Sequence, residues 1–211
     1  MIPLILRLKK QAHREIAKTQ DLIVEVLFSI SNEAVMHGGT AIWRCYGGNR
    51  FSEDIDVYLP KNLEKIELFF EKMKQRGFTI EKKKIGKNSL YSNLDFNGTT
   101  VRFEALFKKV EGHLQDYETA ESNFITINTL TAEELIKEKV QTYLKRCKIR
   151  DLYDIFFLLK KVDDRILVKT ELKELIAHFQ EPLDEKDLQV LILEGLVPSS
   201  EKMLEYIANW E

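Results

Sequence analysis

The segment Arg50-Phe51-Ser52-Glu53-Asp54-Ile55-Asp56-Val57-Tyr58-Leu59 limits what this chain can become more than any other. From about residue 53 to 59 polar and apolar residues alternate, the period of a β-strand with one buried face. Asp54 and Asp56 then leave the same face, while Ile55 and Val57 turn toward a core. Two unit charges 4 Å apart repel by about 4 kcal/mol at an effective dielectric near 20, so a paired-aspartate strand asks for a cation between its carboxylates. Gly38-Gly39, followed by Thr40, stands upstream, with fourteen residues between Gly39 and Asp54. Paired glycines let the backbone turn tightly and approach a ligand, and a helix starting at Thr40 would aim free N–H groups at an anion.

The rest of the chain supplies a sheet for that strand. Apolar residues recur at helical spacing from about Lys9 to Met36, which reads as one long helix stopped at His37 to Gly39. A short helix over 40–46 and a turn at Gly47-Gly48-Asn49 lead into the aspartate strand, and Pro60 ends it. Leu63 to Met73 is again helical, with Gly77 at the C-cap position. Strands are expected over Phe78 to Ile85, Leu90 to Phe96 and Thr100 to Phe107, the last two joined by an Asn97-Gly98 hairpin turn. A polar stretch covers 112–123, a short strand lies near Phe124 to Ile127, and all that follows down to Trp210 reads as helix broken near Pro182 and Pro198. The fold class is α/β (α+β): a mixed sheet flanked by helices in residues 1–128, then a C-terminal helical lobe in 129–211. There is no internal repeat or low-complexity tract.

Composition narrows the partners. A formal charge of −2 argues against a protein that coats nucleic acid indiscriminately. Residues 137–161 nevertheless hold eight Lys or Arg against three acidic residues, a local excess suited to a triphosphate or RNA. Taken alone, that block reads as a solvated charged helix. The two cysteines, Cys45 and Cys147, fit a reduced cytosolic setting and neither reads as reactive. The apolar opening precedes its basic residues, the reverse of a secretory signal, and no run approaches the ~20 apolar residues that span a membrane. A cytoplasmic location is expected, and the sequence carries no signal for an oligomeric state.

The chemistry follows from the carboxylates. Magnesium, or manganese in its place, takes hard oxygen ligands from a few carboxylates together with triphosphate oxygens. Asp54 and Asp56 are the candidate ligands, and a third acid is wanted. Glu104 is the candidate, because alternation in Val101 to Leu106 puts Arg102, Glu104 and Leu106 on one strand face; Asp95 is the weaker alternative. Ser52 is the hydroxyl beside the aspartates, suited to structural duty or to a phosphate contact. His37 reads as a packing residue as readily as a site residue, and Tyr91, Tyr153 and the two tryptophans read as core or groove aromatics.

Three blocks, His37-Gly38-Gly39-Thr40-Ala41, Arg50 to Asp56, and Glu138 to Ile155 with its Arg150-Asp151-Leu152-Tyr153-Asp154, together resemble one known family. The chain is similar to the AbiEii/AbiGii (MenT-like) toxins of the DNA polymerase β nucleotidyltransferase superfamily. That resemblance implies a nucleotidyltransferase-type sheet and a nucleoside triphosphate (NTP) substrate. It implies nucleotide binding by Gly38, Gly39, Thr40, Arg50, Ser52, Lys139 and Arg146. Lys139 would contact the triphosphate and Asp151 would be a further catalytic-site carboxylate, with Asp154 supporting them. Asp154 can equally pair with Arg150 or Arg146 to lock two helices. The acceptor implied is the 3′ end of tRNA, the outcome a block of translation, and the partner a cognate antitoxin. Regulation by phosphorylation near Ser52 is also implied. The rivals are a small-molecule or protein nucleotidyltransferase, and a regulatory module that binds nucleotide without turnover.

Overall fold

The computed structural model describes residues 3–210; Met1, Ile2 and Glu211, and with them the start of the apolar opening, lie outside the described residues. After a single turn, α1 (Leu4–Arg7), comes α2 (Gln11–Ile30). Next follow β1 (Val35–His37), α3 (Gly38–Cys45), β2 (Ile55–Leu59) and α4 (Leu63–Gln75). The strands β3 (Thr79–Ile85), β4 (Ser89–Phe96), β5 (Thr99–Phe107), β6 (His113–Glu118) and β7 (Phe124–Thr129) complete the sheet. The remainder is helical: α5 (Ala132–Arg146), α6 (Ile149–Leu158), α7 (Lys169–Ala177), α8 (Leu188–Leu191) and α9 (Ser200–Ala208). Among the described residues the strands form one mixed sheet in the order β3-β4-β5-β2-β1-β7-β6. No described helix is long and apolar enough to cross a membrane.

Three expectations change. The helix expected to run from Lys9 to Met36 ends at Ile30, and Val35 to His37 form a strand between β2 and β7 instead. A strand of three residues is too short to display a period of two, so its apolar residues look like a continuation of the helix. The polar stretch 112–123 contains β6, at the edge of the sheet, where exposure of one face and one flank permits polar residues. Helix α3 begins at Gly38 rather than Thr40, so both glycines belong to its first turn.

One face of the central sheet is covered and one is open. Ile55, Val57, Val101, Phe103 and Ala105 are buried, and α2 and α4 close over this face, with the Phe69 and Phe103 rings 5.0 Å apart. The same hydrophobic core runs from Ile23 through the strands to Ile207 in α9. At the hairpin, Asn97 (φ 52) and Gly98 (φ 80) both adopt positive φ, the backbone of a type I′ turn. A second tie is long-range: Phe51 N donates to Leu191 O and Leu193 N to Asn49 O, holding the loop before β2 against the C-terminal region.

Candidate active site

Register places the chemistry on the open face. Across β1, β2 and β5, His37 stands opposite Asp56, and Asp56 opposite Glu104, so their side chains share one side of the sheet. Asp54 immediately precedes β2, one residue outside the strand expected to hold it. Asp54, Asp56 and Glu104 all line a cleft of about 690 Å³, together with Gly38, Gly39, Arg50, Ser52, Lys139 and Arg146.

The glycines are there because the walls are close. Gly38 has φ +72, and a Cβ on it would meet Asp56 Oδ2 at 2.6 Å. A Cβ on Gly39 would meet Ser52 Oγ at 2.6 Å and Arg50 Nη2 at 2.7 Å. Thr40 points inward: it is buried, and its hydroxyl donates to the Asp54 carbonyl, fixing the loop rather than facing the cleft. Ser52 accepts from Gln20 Nε2 through its carbonyl at 3.0 Å, leaving its hydroxyl beside Gly39.

Arg102 holds the acidic residues in this structure. It pairs with Asp54 and, at 3.2 Å, with Glu104. Sequence alternation already put Arg102 on the Glu104 face but gave it no role. The Asp56 carboxylate makes no hydrogen bond or ion pair among the described residues. Burial pushes its acidity to higher pH and the Asp54 charge adds to this, against the pull of His37, Arg102 and Lys139. A half-buried carboxylate without a partner, with two further acids on the same wall, fits an oxygen-seeking divalent cation. Among the described residues no three such side chains converge closely enough to enclose an ion unaided. Triphosphate oxygens are the ligands magnesium usually takes beside one or two carboxylates. Asp95 does not reach the cleft; it accepts from Gly98 N at 3.1 Å and caps the hairpin turn.

Behind the cleft lies a buried ionic chain. The capping box of Thr131 and Glu134 starts α5, and Cys147 (φ 46) ends it, turning the backbone so that α6 packs against α5. Arg50 donates to both Asp154 oxygens at 2.6 Å. Lys139 bridges Asp154 at 2.7 Å and Asp151 at 3.3 Å. Arg146 donates to Asp151 at 2.7 and 2.9 Å. Both aspartates are wholly buried and neither lines the cleft, so the solvated-helix reading of this block fails. Asp154 joins α6 to the loop before β2 through Arg50 rather than to Arg146 or Arg150. Burial raises its acidity range, but Arg50 and Lys139 more than reverse this and hold it ionised.

A last group escaped the sequence reading. Glu138 accepts from Tyr58, and it lies 3.1 Å from His37 Nδ1, while the His37 and Tyr58 rings stack at 4.1 Å. Its position beside Lys139 in the basic block was the available signal. Lys108, Lys137, Lys145 and Arg150 complete the cleft walls. Cys45 is buried and its thiol is pushed up to about 12, which leaves it protonated.

The family model for the nucleotidyl transferase AbiEii toxin of type IV toxin–antitoxin systems matches residues 22–202. The chain belongs to the AbiEii family. Its members are nucleotidyltransferase toxins, which brings an NTP substrate and an antitoxin partner with the assignment. Among solved structures, MenT4, a nucleotidyltransferase toxin from Mycobacterium tuberculosis H37Rv, superposes with a TM-score of 0.66 at 17% identity, over 97% of this chain and 86% of that one. JHP933 from Helicobacter pylori superposes with a TM-score of 0.62 at 18% identity, over 90% and 88%. At such identities the likeness shows a shared nucleotidyltransferase fold. No curated protein sequence matches the chain. The AbiEii match spans both the aspartate strand and the buried ionic chain.

Proposed function

We propose that this AbiEii protein transfers nucleotides from an NTP to the 3′ hydroxyl of an RNA acceptor, tRNA, in the cytoplasm, and thereby blocks translation. The observation that carries the proposal is the shared cleft wall of Asp54, Asp56 and Glu104 facing Arg50, Lys139 and Arg146. Gly38 and Gly39 bring the start of α3 against the phosphates, where its free N–H groups bind negative charge. Lys139 and Arg146 offset triphosphate charge, and Asp151 and Asp154 position them from behind. Ser52 stands beside the same loop.

Asp54, Asp56 and Glu104 would hold magnesium, or manganese in its place. When bound, such an ion lowers the pKa of the attacking hydroxyl and steadies the departing pyrophosphate. The acceptor oxygen forms a bond to the α-phosphorus, the α–β phosphoanhydride bond breaks, and the hydroxyl proton leaves through the cleft carboxylates to solvent. Lys108, Lys137, Lys145 and Arg150 extend a positive wall beyond the triphosphate in a chain of net charge −2, which favours a polyanionic acceptor.

Labelled triphosphates offered with magnesium to total RNA and to total protein test the reading. Label at RNA 3′ ends is expected, concentrated in tRNA. Label on protein alone overturns the RNA acceptor, and absence of any transfer overturns the activity.

A further inference from the structure

Beyond Glu104 lies a second cavity of about 370 Å³, lined among others by Lys84, Tyr91, Glu104 and Leu106. That volume lies in the ~300–1,000 Å³ range of ligand pockets. Both Glu104 and Leu106 also line the main cleft, so the two spaces adjoin across these side chains. Register explains the placement. Tyr91 on β4 stands opposite Glu104 on β5, and Lys84 on β3 stands opposite Tyr91. The row His37, Asp56, Glu104, Tyr91 therefore crosses four adjacent strands on the open face of the sheet.

We propose that this cavity receives the terminal nucleobase of the acceptor strand, stacked on Tyr91 against Leu106, with Lys84 meeting the backbone phosphate that precedes it. The inference rests on the RNA-acceptor reading given above. Its physical basis is the direction of attack. In-line displacement puts the entering oxygen on the side of phosphorus opposite the leaving pyrophosphate. The glycine loop and Lys139 define the pyrophosphate side, and Glu104 is the acid farther along the row, next to Tyr91. An acceptor hydroxyl arriving over Glu104 places its own base over Tyr91.

The walls suit that occupant. The Tyr91 hydroxyl donates to Asn93 Oδ1 at 2.9 Å, which fixes the ring in place before any ligand arrives. Leu106 is 45% exposed, an uncovered apolar surface beside a charged cleft. A fixed aromatic ring, an aliphatic neighbour and a nearby cation are what base stacking and phosphate contact require, and stacking of this kind tolerates any base. Lys84 is exposed and free to reach a phosphate.

Binding of a short fluorescent single-stranded RNA with a free 3′ hydroxyl, followed by anisotropy on the full chain, decides the matter. Tyr91→Ala should weaken binding about tenfold, and Leu106→Ser should weaken it by a smaller factor; Tyr91→Phe should bind within about twofold of the parent. Affinity for a non-hydrolysable NTP analogue should be unchanged in Tyr91→Ala and Tyr91→Phe, which also reports that they fold. Removing the terminal base from the RNA should weaken the parent protein about as much as Tyr91→Ala, and weaken Tyr91→Ala no further. Equal binding by parent and Tyr91→Ala, or a loss confined to the NTP analogue, overturns the site while leaving the RNA reading in place. Failure of the parent protein to bind any RNA overturns both.

Discussion

Asp54 and Asp56 stand at an open cleft where Arg102 pairs with one of them and nothing pairs with the other, whereas Asp151 and Asp154 are sealed in the interior with every oxygen bonded to Arg50, Lys139 or Arg146. The residue type is the same and the spacing similar, yet the electrostatic condition is opposite. A buried carboxylate persists only when paired and hydrogen-bonded, and α6 meets that condition completely. The sheet pair is left under-neutralised, with Asp56 harder to ionise than usual. Such a deficit is unfavourable for the free protein, and a cation-bearing substrate of the kind proposed would remove it. The contrast supports the proposal that chemistry lies at β2 and architecture at α6.

The largest effect should come from breaking the open pair. Asp54→Ala and Asp56→Ala should each lower nucleotide transfer by about 10³-fold or more, roughly 4 kcal/mol of transition-state stabilisation, with far-UV CD and thermal midpoint near the parent values. An unfolded Asp56→Ala protein would erase the contrast, because it would make the strand pair structural too.

Next in size is the sealed pair. Asp154→Asn leaves the Arg50 charge buried without its anion and Lys139 with Asp151 alone, and breaking a buried pair from one side costs about 3–5 kcal/mol. Urea unfolding should show that loss directly. A change below about 1 kcal/mol, the size expected of a surface ion pair, would place Asp154 outside the framework.

These two regions also differed in how much of them could be read beforehand. The aspartate strand and its glycines were legible because alternation and φ requirements are local: Asp56 needs only Val57 and Ile55 beside it to declare its face. Glu104 was reachable for the same reason, although its partner Asp56 rested on an untested strand neighbour until the register placed them together. The α5–α6 block was legible only as charge. Nothing local tells that Arg50, about a hundred residues away, supplies the counter-ion to Asp154, since that pairing depends on how the loop before β2 folds back. The short interior strand β1 and the edge strand β6 were missed because one is too brief for periodicity and the other half-polar by position.

A smaller effect isolates Arg102. In the structure it neutralises Asp54 and Glu104 from the protein's own resources, so it competes with any divalent ion for the same oxygens. Arg102→Met should therefore tighten manganese binding in the absence of nucleotide by about tenfold, near 1.4 kcal/mol, as read by electron paramagnetic resonance of the free ion. Unchanged or weaker binding would mean that Arg102 does not share the cation's place. Asp56→Ala, by contrast, should weaken manganese binding in the same titration.

The smallest effect concerns Asp56 alone, in chelator. Its folded-state pKa lies above the unfolded value, so between those two values the native state holds more protons than the unfolded chain. Stability then falls as pH rises through that window, and above the folded pKa the penalty is complete. Asp56→Asn removes the ionising group. At neutral pH it should raise the thermal midpoint of the ion-free protein by a few degrees at most, less than any of the changes above. Below the unfolded carboxylate pKa, near 4, both proteins carry a neutral side chain and the difference should vanish. A saturating divalent cation should reverse the sign at neutral pH, because only the parent protein has the carboxylate that the ion stabilises. If the substitution instead destabilises the ion-free protein at neutral pH, Asp56 is already satisfied by its surroundings, and the contrast with Asp154 collapses from the cleft side.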